Sequence, residues 1–248
     1  IAEGVDQTRG WFYTLHAISA IVFGKIAYKN VISNGLVLDK IGQKMSKRLG
    51  NAVDPFETLA QYGPDAIRWY MISNSNPWDN LKFDVEGIAE VQRKFFGTLY
   101  NTYSFFALYA NIDNFDYNSS DIDYEERPEI DRWILSKLNS LIKEVDKAFS
   151  LYDATKSGRL IQSFVIEHLS NWYVRLCRRR YWKQSNGESL AEKDKLSAYQ
   201  TLYKCLETVS ILGAPIAPFF MDQLFIDLNS FSKKSNLNSV HLFNFPEI

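Results

Sequence analysis

Apolar residues recur every three or four positions over 85–109, 130–149, 154–182 and 190–212, and again over 216–228 beside Pro215 and Pro218. That spacing lays one apolar stripe along each helix. The connections are short enough for antiparallel neighbours, so this part of the chain reads as an all-α helical bundle. Earlier the pattern differs. The chain opens on an apolar strand end, keeps helical spacing over 11–24, and turns β-rich over 31–38 before a basic loop, which reads as strand, helix, strand, loop. Asp54-Pro55 is a helix-start signal. The fold class is therefore mixed, with an α/β part over 1–83 and a helical part over 84–248. No internal repeat supports a solenoid.

Charge is unevenly spread behind a net value of −1. Between Ile112 and Asp131 the acids Asp113, Asp116, Asp121, Asp123, Glu125, Glu126, Glu129 and Asp131 face only Arg127, and Asn114, Asn118, Ser119, Ser120 and Pro128 add polarity. This stretch reads as a polar connector, the best linker candidate. From His168 to Gly187 the sign reverses, with Arg175, Arg178, Arg179, Arg180 and Lys183 unopposed. A chain of 248 residues with 46% hydrophobic content can bury real cores and argues against disorder. No apolar run reaches membrane-spanning length, since Lys25 ends one and Pro215 and Pro218 interrupt another. No signal peptide is visible. A cytoplasmic location is expected, with neither a membrane nor DNA as partner. Cys177 and Cys205 lack a Cys-x-x-Cys partner and read as reduced core thiols, and no metal site is expected.

Residues 42–51 read Gly-Gln-Lys-Met-Ser-Lys-Arg-Leu-Gly-Asn. Lys44 and Lys47 can reach triphosphate oxygens, Ser46 and backbone N–H groups add neutral donors, and Gly42 and Gly50 permit turns closed to other residues. Such cationic loops stabilise charge growing on phosphate and pyrophosphate. A solvated surface loop is the other reading of these residues alone.

Lys44-Met45-Ser46-Lys47-Arg48 resembles the second signature of class I aminoacyl-tRNA synthetases, which usually ends in Ser where Arg48 stands. The resemblance implies that Lys47 contacts ATP and stabilises the adenylation transition state, with Lys44 assisting and Ser46 at the nucleotide. Upstream, Glu3-Gly4-Val5-Asp6-Gln7-Thr8-Arg9-Gly10-Trp11 reads physically as a strand end and capped helix start, and it is similar to the signature of the isoleucyl family within that class. This implies that Glu3, Gly4, Asp6 and Gln7 line the aminoacyl-adenylate and that Trp11 walls the isoleucine pocket. Asn34-Gly35-Leu36-Val37-Leu38-Asp39 is similar to the strand whose backbone holds adenine, which would put Gly35, Leu36 and Leu38 at ATP. Gly63-Pro64-Asp65-Ala66-Ile67-Arg68 is similar to the helix start that follows the catalytic core.

The family also uses a His-x-Gly-His element, which His16, His168 and His241 do not form. Each reads as a packed or partly exposed histidine. With Ile1 in mid-strand, the chain is expected to be a fragment holding the second half of a Rossmann-like nucleotide-binding domain, a short stem-contacting region and a helical anticodon-binding domain, inactive alone.

The run Asn171-Trp172-Tyr173-Val174-Arg175-Leu176-Cys177-Arg178-Arg179-Arg180-Tyr181-Trp182 interleaves planar side chains with guanidinium groups. Forked guanidinium suits phosphate, and aromatic faces stack on unpaired bases. The alternative is that Trp172, Tyr173, Leu176 and Trp182 fill the bundle core while the arginines are solvated. A similar run in the anticodon-binding bundle of isoleucyl-type enzymes implies tRNA contact by Asn171, Trp172, Arg175, Arg178, Arg179 and Arg180. The resemblance as a whole implies an isoleucine–tRNA ligase activity using ATP with Mg²⁺ and tRNA(Ile). A valyl- or leucyl-type enzyme and a catalytically inert tRNA-binding module remain the alternatives.

Overall fold

The computed structural model describes residues 1–115, 117, 120–182 and 189–247, without the side chains of Lys47, Ser189 and Phe231. Asp116, Asn118, Ser119, Lys183 and Gly187, named above, lie outside the described residues.

The chain begins with a parallel crossover. Strand β1 (Ala2–Gly4) leads through a 3₁₀ turn, Val5–Arg9, into helix α1 (Trp11–Phe23), and β2 (Ile32–Asn34) returns beside β1 with Gly4 opposite Asn34. The β-rich run over 31–38 is not one strand. Gly35 interrupts it: its N–H donates to Pro77 C=O at 2.8 Å, and a Cβ there would stand 2.3 Å from the carbonyl oxygen of Asp79. A new strand, β3 (Val37–Leu38), then pairs in parallel with β4 (Leu81–Lys82). Two parallel two-stranded sheets thus stand where a Rossmann-like half was expected. The second strand of the latter pair was missed because it is only two residues long and sits in the polar stretch after Trp78.

Helix α2 (Pro55–Tyr62) starts as expected, with Asp54 accepting from the N–H groups of Phe56 and Glu57. Gly63, at φ 76°, separates it from α3 (Pro64–Asn74). Helix α3 belongs to the bundle core. Trp69 is fully buried, stacks on Phe95 with centroids 4.2 Å apart, and donates to Gln162 Oε1. The apolar core therefore runs continuously from Ala66 to Val240 and does not break at residue 84.

The bundle contains α4 (Val85–Val91), a π-helical turn Gln92–Phe96, α5 (Gly97–Ile112), α6 (Glu129–Ser150), α7 (Ala154–Ser163), a π-helical stretch Phe164–Val174, α8 (Arg175–Trp182), α9 (Ser189–Gly213) and α10 (Pro218–Ser232). No helix among the described residues is long and apolar enough to cross a membrane. The connector between α5 and α6 is stitched down. Arg127 is buried, with its guanidinium donating to Ile122 C=O, Thr201 Oγ1 and Gln200 Oε1, while Gln200 also receives the Ile122 N–H. Arg127 thus holds the connector to α9 and, among the described residues, forms no ion pair with its acids.

A buried ion pair joins α6 to α8. Asp131 has no solvent exposure and receives both terminal nitrogens of Arg180, at 2.6 and 2.9 Å, together with Tyr173 Oη at 2.7 Å and Ser197 Oγ. Arg180 also donates to the carboxylate and carbonyl of Asp194. Such an arrangement balances desolvation only while every member is paired. Asp131→Ala should lower the unfolding free energy of the chain by about 3–5 kcal/mol, because it leaves a buried guanidinium with the half-exposed Asp194 as its one acid and strips the Tyr173 and Ser197 hydroxyls of their acceptor. Chemical denaturation followed by circular dichroism measures this, and a loss below about 1 kcal/mol, typical of exposed pairs, would contradict it.

Candidate functional site

The basic loop leaves β3 and is folded back on it by an antiparallel bridge between Leu38 and Lys44. Gly42 and Gly50 adopt φ of 89° and 66°, the left-handed region that their lack of Cβ allows. Between them Lys44 is exposed, Ser46 is half-buried, and Lys47 opens a 3₁₀ turn, Lys47–Leu49. Ser46 organises that turn, its hydroxyl accepting from Arg48 N–H and its carbonyl from Leu49 N–H.

Two residues not proposed from sequence as site residues fix the loop. Asp39 Oδ1 accepts from the N–H groups of Ile41 and Gln43, and its Oδ2 receives Asn51 Nδ2 at 2.9 Å. The hydrogen bond from Asn51, followed by that from Gln43, holds the Asp39 carboxyl below the ordinary range. Asn51 Nδ2 also reaches Lys44 C=O, and its Oδ1 accepts from Ser46 N–H. The Gly-Asn after the lysines was the available signal. Beneath the loop lies an apolar cavity of 290 Å³, where Met45 meets Val37, Val53, Leu59 and the Ile67–Met71 face of α3.

Strand β3 spends most of the backbone groups expected to meet adenine. Gly35 N–H goes to Pro77, Leu36 N–H goes to Asn80 Oδ1, Leu36 C=O accepts from Leu81, and Leu38 C=O accepts from Phe83. Strand alternation turns the N–H and C=O of Val37 to the opposite edge.

The Glu3–Trp11 segment lies one strand away, because Gly4 is in register with Asn34, next to Gly35. Gln7 bridges the turn: its Nε2 donates to Asp6 Oδ2 at 2.9 Å and its Oε1 accepts from Trp11 N–H at 3.1 Å. Asp6 and Gln7 are therefore pre-arranged as a pair, and a Cβ on Gly4 would stand 2.6 Å from Asp6 Oδ1. Trp11 is 50% exposed and projects from the start of α1. No group of three or more metal-ligating side chains gathers among the described residues.

On the basic helix the side chains separate by phase. Asn171, Trp172, Arg175, Leu176, Arg178, Arg179 and Trp182 are exposed, whereas Tyr173, Cys177 and Tyr181 are buried. Arg180 is withdrawn into the pair with Asp131, so its assignment to the tRNA-facing set is corrected. The core reading of Trp172, Leu176 and Trp182 is corrected too, since each is more than half exposed. The π-helical stretch before Arg175 shifts the phase that a uniform 3.6-residue repeat would carry forward. Trp172 leans against Trp133 of α6 with centroids 6.3 Å apart, and His168 packs edge-on to Trp133 at 5.9 Å. Burial, then the Lys137 charge, keeps His168 below its usual pKa. Cys177 and Cys205 are free, buried thiols, and His16 and His241 are exposed.

Comparison with known proteins places these features. A family model described as tRNA synthetases class I (I, L, M and V) matches residues 1–84, and one described as the anticodon-binding domain of tRNA ligase matches residues 131–248. Isoleucine–tRNA ligases are similar along the whole chain: that of Cytophaga hutchinsonii is 66% identical over 248 residues, that of Bacteroides fragilis 67% over 247, and that of Thermus thermophilus 46% over 247. The chain spans 22%, 21% and 23% of the lengths of these relatives. Among solved structures, a methionyl-tRNA synthetase of Mycobacterium tuberculosis bound by methionyl-adenylate aligns with 90% of the chain and 42% of its own at TM-score 0.69 and 16% identity. A LeuRS–tRNA–LeuAMS complex of Agrobacterium radiobacter aligns with 95% of the chain and 27% of its own at TM-score 0.62 and 18% identity, and at such identities both likenesses speak for the fold alone. With both family models matched and two-thirds identity to these ligases from end to end, the chain belongs to the isoleucine–tRNA ligase family of class I aminoacyl-tRNA synthetases.

Proposed function

We propose that this chain supplies the nucleotide-phosphate loop, part of the amino-acid pocket and the tRNA-binding bundle of an ATP-dependent isoleucine–tRNA ligase. The observation that carries the reading is the anchored loop Gly42–Asn51, one strand away from the Glu3–Trp11 turn. In the reaction a carboxylate oxygen of isoleucine attacks the α-phosphorus of ATP in line, the bond to the bridging oxygen breaks, and pyrophosphate leaves. The adenylate then passes its acyl group to a ribose hydroxyl of tRNA(Ile), releasing AMP. Neither step needs a side-chain nucleophile, so positioned charge does most of the work. Lys47, assisted by Lys44 and Ser46, neutralises the charge growing on the phosphates, with Mg²⁺ entering as part of the Mg–ATP substrate. Gly35, Leu36 and Leu38 line the adenine of ATP. Glu3 and Gly4, with the prearranged pair Asp6 and Gln7, line the aminoacyl-adenylate, and Trp11 walls the isoleucine side chain. The exposed face of Asn171, Trp172, Arg175, Arg178 and Arg179 meets tRNA.

The assays below use a full-length ligase of this family carrying these 248 residues. Lys47→Ala should lower kcat for isoleucine-dependent ATP–pyrophosphate exchange on the order of 10²-fold or more with a smaller change in ATP KM, since preorganised charge at a phosphoryl centre is worth several kcal/mol. A near-parental exchange rate would remove Lys47 from the chemistry.

Trp11→Ala should raise the KM for isoleucine more than that for ATP and narrow the preference over valine, because one methylene is worth about 1–3 kcal/mol and depends on a tight wall. An unchanged isoleucine-to-valine ratio places Trp11 outside the pocket. A preference for valine over isoleucine in the parent would favour the valyl alternative.

Replacing Arg175, Arg178 and Arg179 together with Gln should weaken tRNA binding and flatten its dependence on salt, each lost phosphate contact removing roughly one unit of slope or less. Pyrophosphate exchange, which needs no tRNA, should survive. Unchanged affinity and slope in a variant with parental circular dichroism would make this face a solvated one. Arg180 is left intact because it holds Asp131.

A further inference from the structure

The closure of the lysine loop, from Asp39 to Asn51, is made by side chains at its two ends. Asn51 Nδ2 donates to Asp39 Oδ2 and to the carbonyl of Lys44, while Asn51 Oδ1 accepts from Ser46 N–H. Asp39 Oδ1 accepts from Ile41 and Gln43. One carboxylate and one carboxamide thus hold the backbone on both sides of Met45, whose side chain faces the apolar cavity against α3.

We propose that Asp39 and Asn51 are positioning residues for the phosphate chemistry of the lysine loop, their carboxylate–carboxamide clasp holding Ser46 and the Lys44 peptide where the loop meets ATP. This rests on the adenylation reading of the loop. Left unclasped, the loop would be ordered only as the transition state forms, and that ordering would add conformational entropy to the barrier. The partner of Asp39 has to be a neutral amide. Asp39 uses one oxygen for two backbone N–H groups and needs a donor at the other, and the same side chain must accept from Ser46. A carboxamide does both. A carboxylate at position 51 would stand about as close to Asp39 as the paired acids of a carboxylate dyad and could match the geometry only by carrying a proton. Among the described side chains, the loop that the pair closes carries the cations Lys40, Lys44 and Arg48, and the neighbouring β4 carries Lys82, whose Nζ lies 4.0 Å from where a Cβ on Gly42 would stand.

The test is Asn51→Asp, alone and with Asp39→Asn, in the full-length ligase described above. The single variant should lose roughly 10- to 100-fold in kcat for pyrophosphate exchange at about pH 8.5, with little change in isoleucine KM. Its rate relative to the parent should recover as pH falls toward about 5.5, because a shared proton restores the bond between the two acids. The swapped pair, with Asn at 39 donating to Asp at 51, should abolish the added pH dependence and regain the part of the loss that comes from the contact between the two side chains, the bond to Lys44 C=O staying lost. A merely structural role predicts neither signature. The proposal is overturned if the single variant tracks the parent at every pH, or if the swap is as impaired as the single variant at high pH. Lys47→Ala distinguishes this from a failure of the functional reading: if that variant exchanges normally, the loop has no phosphate role at all. If it is impaired while Asn51→Asp is not, only the clasp is refuted.

Discussion

Asp131 has no exposure to solvent, and much of the bundle is arranged so that its charge is met. The four groups that bond to it come from the π-helical stretch, α8 and α9, through Tyr173, both ends of the Arg180 fork, and Ser197. Removing a carboxylate from water costs several kcal/mol, so these elements can pack only in the rotation that delivers those donors together. That rotation decides what α8 shows to solvent. With Arg180 inward beside Tyr173, Cys177 and Tyr181, the residues left outside are Arg175, Arg178 and Arg179, together with Trp172, Leu176 and Trp182. The outward arginines form no ion pair among the described residues, in contrast to Arg180 with its two acids. One arginine of the cluster was thus committed to structure, and its commitment orients the other three toward whatever anion the face meets.

Helix α3 carries the second constraint, a mechanical one. Its inner face, Ala66, Trp69 and Tyr70, is part of the bundle core, while Ile67 and Met71 line the cavity under the lysine loop. Both ends are tied to the bundle. Asp65 accepts from Phe220 N–H at the start of α10, Arg68 donates to the carbonyls of Pro215 and Ile216, and at the far end Arg159 and Thr155 of α7 donate to carbonyls of residues 72–75. These bonds satisfy helix-end groups that would otherwise need water. Burial raises the Asp65 carboxyl above its usual range, and one of its oxygens has no partner among the described residues. Because the loop rests on the outer face of the same helix whose inner face is core, loop and bundle share one rigid element and not a flexible hinge.

Much of this was legible in residue order, and the limits follow from physics. The long helices were readable because burial on one face repeats a clear period: in α6, Ile134, Leu138, Leu141, Ile142 and Val145 are all buried. Asp131 and Arg180 stood in phase with those apolar stripes, and that was the overlooked signal, since charge at a core position means a buried partner. The basic loop and the Asp54-Pro55 start were readable from local chemistry. Strand β4 was not, because a two-residue strand has no periodicity. The exposure of Trp172 was not, because the π-helical register before it breaks the count from Phe164 onward. The extent of the apolar core was hidden too. Pairing Trp69 with Phe95 across the presumed boundary at 84 is a tertiary choice that neither segment shows alone.

The lysine loop and the arginine face answer the same electrostatic problem at different ranges. Phosphate binding requires cations whose charge is not already cancelled, yet an uncancelled cation on a long side chain gains little unless its backbone is fixed. On α8 the fixing is done by the helix, whose backbone bonds are complete before any ligand arrives. In the loop there is no such ladder, and Gly42 and Gly50 add freedom of their own. The fixing therefore falls to side chains that bear no positive charge: the Asp39 carboxylate turned inward to N–H groups, the Asn51 amide, and Met45 against the cavity wall. Had a lysine or arginine filled the place of Asn51, its charge would have bound Asp39 as an ion pair but could not have accepted from Ser46 N–H. Neutral anchors keep the loop ordered while leaving its cations available to the phosphates.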